Sequence, residues 1–171
     1  MKRLVSLLLI VLGINTCIAQ QSSIKFGRLG LKDGLSQSDV VAIQQTKNGL
    51  LWFGTQDGLN AYNGFEFKVY SHDLSNPTSI SHNFIRTILE ENDSMLWVGT
   101  ENGLNLFNTA TQEFKNVFYS ATNKKRKVDV WALTKDSLGN LWIGTDKELY
   151  QLNRKSLALN KVDLSRRESA T

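Results

Sequence analysis

The sequence predicts an all-β protein, a partial β-propeller of about three four-stranded blades of 45 residues each, preceded by a signal peptide. Three observations predict it. Trp52-Phe53-Gly54-Thr55, Trp97-Val98-Gly99-Thr100 and Trp142-Ile143-Gly144-Thr145 are one motif met three times, at intervals of 45 residues. The same register runs without a gap through Val40/Ile85/Val130, Ile43/Ile88/Leu133, Leu51/Leu96/Leu141 and Leu59/Leu104/Leu149. Each unit consists of short apolar runs, rich in β-branched residues, separated by Gly, Asn and Asp turns. No stretch after the first 19 residues keeps a helical apolar period long enough for a helical solenoid.

The chain begins with a segment of different composition. Lys2 and Arg3 form a positive n-region, Leu4 to Ile14 is apolar apart from Ser6 and Gly13, and Cys17-Ile18-Ala19 ends in small residues suited to cleavage. Eleven residues are too few for a membrane helix, which needs about 20. Residues 1–19 therefore read as a signal peptide cleaved after Ala19, giving a mature chain from Gln20 and a periplasmic location. Cys17 also admits a reading as a lipidated cysteine, preceded by the unusual Thr16. On the first reading the mature chain has no cysteine, which excludes a disulfide framework and thiol chemistry.

Residues 20–35 come next as an entry strand, with Ile24 to Leu29 expected to pair as the outer strand of the closing blade in a full propeller, whose partner strands are absent from this chain. Blade 1 is assigned to 36–80, blade 2 to 81–125 and blade 3 to 126–171. In blade 1, strands are expected at Val40 to Gln45, Leu51 to Thr55, Leu59 to Tyr62 and Phe65 to Tyr70, with turns at Lys47-Asn48-Gly49, Gln56-Asp57-Gly58 and Asn63-Gly64. Ala42, Thr87 and Ala132 put a small residue where blades crowd together, and each tryptophan supplies a large buried surface. Gly54, Gly99 and Gly144 allow a neighbouring sheet to approach. Gly58 and Gly103 suit turns with positive φ, and Lys147-Glu148 requires a different turn in the third unit.

The segments Val40-x-x-Ile43, Leu51-Trp52-Phe53-Gly54-Thr55 and Asp57-Gly58-Leu59-Asn60, with Lys32-Asp33-Gly34-Leu35-Ser36-Gln37-Ser38 ahead of them, resemble the two-component regulator propeller repeat. The chain resembles the N-terminal periplasmic sensor region of hybrid two-component histidine kinases over residues 24 to about 160. The resemblance implies further blades, another β-domain, a membrane helix in the inner membrane, and a kinase, with a receiver and a DNA-binding module often following. It implies a carbohydrate ligand, transcriptional output and a homodimer in the full receptor. Similar propellers also precede cyclic-dinucleotide synthases.

Composition adds exclusions. Removing Lys2 and Arg3 from 20 basic side chains leaves 18 against 16 acidic, a net charge of +2, too weak for direct nucleic-acid binding. The basic run Lys124 to Lys127 reads as a solvated loop. No glycine loop is followed by Lys-Ser/Thr, no acidic pair is opposed by spacing, and His72 and His82 lie in one loop without a metal-ligand pattern. No catalytic, cofactor or metal residue is assigned. Asp57, Asn83 and Asn102 are the candidate ligand-binding residues, because loops into the inner strands share an end with the turns after Gly-Thr.

A propeller enzyme, a lyase or hydrolase with its site in other blades, remains the alternative. Sequence beyond Thr171 separates the two: a membrane helix and a kinase, or a stop after about six to eight blades with clustered His and Asp. Three units alone are expected not to close into a ring, since propellers use about 4–8 blades. The purified chain is then expected to aggregate or melt without cooperativity.

Overall fold

Apolar β-branched runs of four to eight residues, cut by glycine turns, form twelve strands among the described residues. The computed structural model describes residues 25–117 and 128–163. The expected signal peptide at residues 1–19, Ile24, the Lys124–Lys127 run and the terminal residues 164–171 lie outside these. The first sheet contains β1 (Val40–Gln45), β2 (Leu51–Thr55), β3 (Gly58–Tyr62) and β4 (Phe67–Tyr70). The second contains β5 (Ile85–Asn92), β6 (Met95–Thr100), β7 (Gly103–Asn108) and β8 (Glu113–Val117). The third contains β9 (Val130–Lys135), β10 (Leu141–Thr145), β11 (Leu149–Asn153) and β12 (Ala158–Lys161). Each is an antiparallel meander in chain order, and the first strands of the three sheets lie side by side. This is the blade arrangement of a β-propeller.

One expected strand differs in extent. The fourth strand starts at Phe67, not Phe65, because Asn63 Oδ1 accepts the N–H groups of Phe65 (2.9 Å) and Glu66 (3.0 Å) and prolongs the turn. No strand forms over the described residues of the expected lead-in, 25–29, and Phe26 is 93% exposed. The pairing expected of this segment is with the closing blade of a full propeller, and a strand needs such a partner edge.

Side chains of alternate parity on β6 enter two cores. Leu96 and Val98 join Trp52, Ile85, Ile88 and Phe107 between the first and second sheets. Trp97 joins Leu141, Ile143, Tyr150 and Leu152 between the second and third. The middle sheet is therefore buried on both faces and reads as a continuous apolar run. In the first sheet Ile43, in the column of buried Ile88, is 65% exposed.

The glycine after the first and second Trp-x sets how closely the sheets approach, while Gly144 meets only Ala132 of its own sheet among the described residues. A Cβ on Gly54 would stand 2.7 Å from Ile85 Cγ2, and one on Gly99 would stand 2.6 Å from both Thr87 and Val130. The small residues Ala42, Thr87 and Ala132 are the cross-strand partners of Gly54, Gly99 and Gly144. Further from this contact the gap widens and aromatic rings fill it: Trp52 meets Phe107 edge-on at 5.6 Å, and Phe107 stacks on Phe114 at 4.3 Å.

The turns after Gly-Thr follow the expected chemistry. Gly58 and Gly103 have φ of 111° and 122°. In the third sheet Glu148 takes the glycine's place without a positive φ, and Thr145 Oγ1 accepts the N–H groups of Lys147 (3.3 Å) and Glu148 (3.0 Å).

The tryptophan N–H groups are treated differently in each repeat. Trp97 donates to Glu91 (2.7 Å) and Trp142 to Asp136 (2.9 Å), six residues upstream in each case. Thr46 occupies that position in the first repeat, and the buried Trp52 Nε1 has no partner among the described residues. The hydrogen bond from Trp142, with those from Asn140 and Leu138, holds the Asp136 carboxyl down at about 2.

Two outcomes are expected. Gly99→Ala should destabilise the chain by about 1–3 kcal/mol through overpacking, while Gly144→Ala, whose Cβ would meet Ala132 at an ordinary 3.4 Å, should not. Urea denaturation of the two variants checks this, and equal effects would show that the sheets have slack. Because the folded pKa of Asp136 lies below the ordinary 3.8, its contribution is complete above that value and lost as pH falls through about 2. Acid titration followed by tryptophan fluorescence should show this step in the parent and not in Asp136→Asn.

Candidate functional site

The end of the sheets that carries the loops into the first strands is fixed by a buried polar circuit. Ser36 N–H donates to Asn60 Oδ1 (2.9 Å), Asn60 Nδ2 donates to Ser36 Oγ (2.9 Å), and Ser36 Oγ meets Thr55 Oγ1 at 2.9 Å. Thr55 Oγ1 donates to the Gly58 carbonyl (3.0 Å) and accepts the Asp57 N–H (3.0 Å). With that proton used, the Ser36 hydroxyl donates to Thr55, and each hydroxyl hydrogen serves once.

The second sheet repeats the circuit with Ser81, Asn105, Thr100 and Gly103, at distances of 2.9–3.0 Å for the same four bonds. Thr55, Asn60, Thr100 and Asn105 are fully buried. A fully satisfied buried network of this kind rigidifies what it joins, here the loop into one strand and the turn between two others. In the third sheet Tyr150 stands in the asparagine column, and its hydroxyl pairs with Glu148.

The loop between the first two sheets is held in the same manner. Asp73 Oδ1 accepts from Ser75 N–H (2.8 Å) and Oγ (2.7 Å), and Asn76 Oδ1 accepts from Thr78 N–H (3.0 Å). The side-chain and backbone hydrogen bonds from Ser75 hold the Asp73 carboxyl below its usual range. Ile80, fully buried, pins the loop to the core. His72 Nδ1 lies 2.6 Å from the Ile80 carbonyl, and His82 Nδ1 accepts the Phe84 N–H at 3.1 Å. Among the described residues no three His, Cys, Asp or Glu side chains group so as to hold a metal ion.

Of the three candidate residues, two meet. Asn83 Nδ2 donates to Asp57 Oδ1 (3.3 Å), while Asn83 Oδ1 accepts the His72 N–H (2.6 Å) and the Asn83 carbonyl accepts the Gly58 N–H (2.8 Å). Asn102 takes the place of Asp57 in the second sheet's turn, where its N–H donates to Thr100 Oγ1 (3.1 Å). Its side chain makes no hydrogen bond to Asp57 or Asn83.

A second group at this end was not picked out by motif. Arg86 donates Nε to Asp129 Oδ1 (2.8 Å) and Nη2 to Asp129 Oδ2 (3.0 Å), and Nη2 lies 3.5 Å from Glu101 Oε1. Its guanidinium lies 3.8 Å from the Trp131 ring centre and 4.3 Å from that of Phe84. His82 stands 3.7 Å from Glu101. The available sequence cue was the column Val41/Arg86/Trp131, which changes chemistry inside an otherwise uniform frame.

These sheets, with their repeated Gly contacts and loop circuits, define a repeat-built β-propeller. The repeat is the two-component regulator propeller repeat, matched at residues 34–57, 79–102 and 126–147. The chain is similar to the extracellular domain of a hybrid two-component system of B. thetaiotaomicron, with TM-score 0.72 and 29% identity over 82% of this chain and 20% of that one. It is similar in fold to a second such domain from the same organism, with TM-score 0.61 and 22% identity over 74% of this chain and 17% of that one. It is also 49% identical over 63 residues to a protein named histidine kinase P4 of Formosa agariphila, covering 37% of this chain and 5% of that protein. The chain thus spans a fifth or less of the length of these relatives.

Removing one member of the buried circuit should loosen this end of the sheets. Asn105→Ala leaves the Ser81 N–H without its acceptor and removes one donor to the Ser81 hydroxyl, which keeps Thr100, and is expected to cost about 1–3 kcal/mol. Lys155→Ala, at an exposed turn, serves as the control in thermal denaturation.

Proposed function

We propose that this chain is the ligand-sensing, extracytoplasmic propeller region of a two-component receptor, a hybrid histidine kinase that responds to carbohydrate and regulates transcription. The observation that carries this reading is the set of three in-register two-component regulator repeats, joined to the 29% identity with the extracellular domain of a hybrid two-component system. Residues 1–19 direct export, and kinase and membrane modules of the full receptor supply the output. The signalling form is a homodimer. Binding uses the loop end described above, where polar side chains on a rigid support can hydrogen-bond a polyhydroxylated ligand. No helix among the described residues is long and apolar enough to cross a membrane.

The test is a response curve of the full-length receptor, read as autophosphorylation or promoter activity against added oligosaccharide. Replacing Asp57 and Asn83 with alanine is expected to weaken the response about tenfold, the value of one to two hydrogen bonds. Replacing Lys47 and Asn48, in the Thr46–Leu50 turn at the opposite end, should leave it unchanged. Equal effects would place ligand binding elsewhere.

A further inference from the structure

The indole N–H of the second and third repeats is served from one column of the sequence, by Glu91 for Trp97 and by Asp136 for Trp142. Between the second and third sheets Glu91 also receives Lys135 (2.9 Å) and Arg154 (2.7 Å), which both come from the third unit. Arg154 reaches on to the Gly139 carbonyl (2.5 Å). The space at this end of that wedge is filled by side chains and closed by charge.

Between the first and second sheets three of the same columns carry smaller residues. Thr46 stands in the column of Glu91, Ala61 in that of Leu106, and Thr109 in that of Arg154. Thr109 Oγ1 donates to the carbonyl of Ser94 (3.2 Å), the counterpart of Gly139, so the position is kept and only the reach is lost. The Thr46 hydroxyl faces Asn48 Oδ1 (2.6 Å) and the Leu50 carbonyl (3.0 Å) within its own turn. A cavity of about 200 Å³ results, at the end opposite the loops. Leu50, Trp52, Ala61 and Tyr70 line it from the first sheet, Thr109 lines it from the second, and Lys68 stands at its edge. Both walls are described sheets.

Trp52 is 1% exposed, and its Nε1 has no partner among the described residues. A buried donor without an acceptor is costly, and here it belongs to a residue that lines a cavity. The repeat itself indicates the acceptor, which in both other units is a carboxylate oxygen. Lys68 can supply the matching charge. Ala61 pairs across strands with both Trp52 and Lys68, so indole and ammonium arise from one row of the sheet. Lys68 Nζ donates to Gln112 Oε1 (2.5 Å), and an ammonium has further N–H groups to give. Glu66, exposed beside the cavity, disfavours a second negative charge. The volume is below the ~300–1,000 Å³ of sites for drug-sized molecules.

We propose that this cavity binds a short-chain monocarboxylate. Its carboxylate accepts the Trp52 N–H and pairs with Lys68, and its alkyl chain packs against Leu50, Ala61 and Tyr70. The site lies at the other end of the sheets from the loops, and it does not rest on the sensor reading.

The experiment follows the indole N–H resonance of Trp52 in the full-length exported protein, isotope-labelled at tryptophan nitrogen and identified by its loss in Trp52→Phe. Sodium propionate is added at constant ionic strength against sodium chloride, with propionamide as the neutral isostere. Propionate should move the resonance saturably and chloride should not, while propionamide should bind about tenfold or more weakly for want of the charge-assisted bonds. Ala61→Leu, which installs the residue of the second repeat, should abolish the response by filling the cavity. Thr46→Glu, which restores the repeat's own carboxylate, should move the resonance without ligand and leave it insensitive to propionate. No response to propionate, an equal response to propionamide, or a propionate response that survives both Ala61→Leu and Thr46→Glu would overturn the inference. The readout is a resonance and not signalling, so its failure leaves the sensor reading standing.

Discussion

Neighbouring sheets converge at two glycines, and the rest of the structure is arranged around those contacts. Gly54 lies against Ile85, and Gly99 against Val130, closer than any Cβ would permit. Because the contact is made at the inner strands, the sheets splay apart towards the outer ones. The space that opens is a wedge, and a wedge must be filled by side chains that grow larger along it. Trp52, Tyr70, Phe107 and Phe114 do this between the first and second sheets. Void-free packing at both ends of the wedge requires the absence of a Cβ at one end as much as the indole at the other.

The same repeat that builds the core also builds the support for the loops. Ser36, half-buried, with Thr55 and Asn60, and their counterparts Ser81, Thr100 and Asn105, all buried, have every strong donor used. Burial makes such bonds stronger and makes their loss more costly, so the loops into the first strands are tied to the turns after Gly-Thr. At the other end of the second and third sheets, Glu91 receives Lys135, Trp97 and Arg154. Burial alone would raise the Glu91 carboxyl, but hydrogen bonds from Lys135 and Trp97 outweigh it and hold the group below its usual range. One end of the second and third sheets is thus clasped by charge, while at the loop end the first two sheets are tied by neutral polar groups, with the ionic cluster of Arg86, Asp129 and Glu101 beside them.

Most of the fold was legible in the chain itself. A period of 45 residues, alternating apolar parity and glycine turns are properties of a one-dimensional pattern, and they determined the strands, their order and the meander of each sheet. Asp57 and Asn83 could be placed at one end from connection parity alone, and they do meet. The fourth strand was read two residues too early because a side-chain oxygen, that of Asn63, competed for backbone N–H groups. Tertiary structure alone decided the rest. Arg86 and Trp131 are 45 residues apart and touch only because adjacent sheets bring their first strands side by side. The bulge in each first strand, where the register skips Val41, Arg86 or Trp131, leaves no mark on residue periodicity, since it adds a residue to the ladder and not to the repeat. Which way Val41, Arg86 and Trp131 point is therefore set by hydrogen-bond register across strands, a relation between segments that no single segment contains.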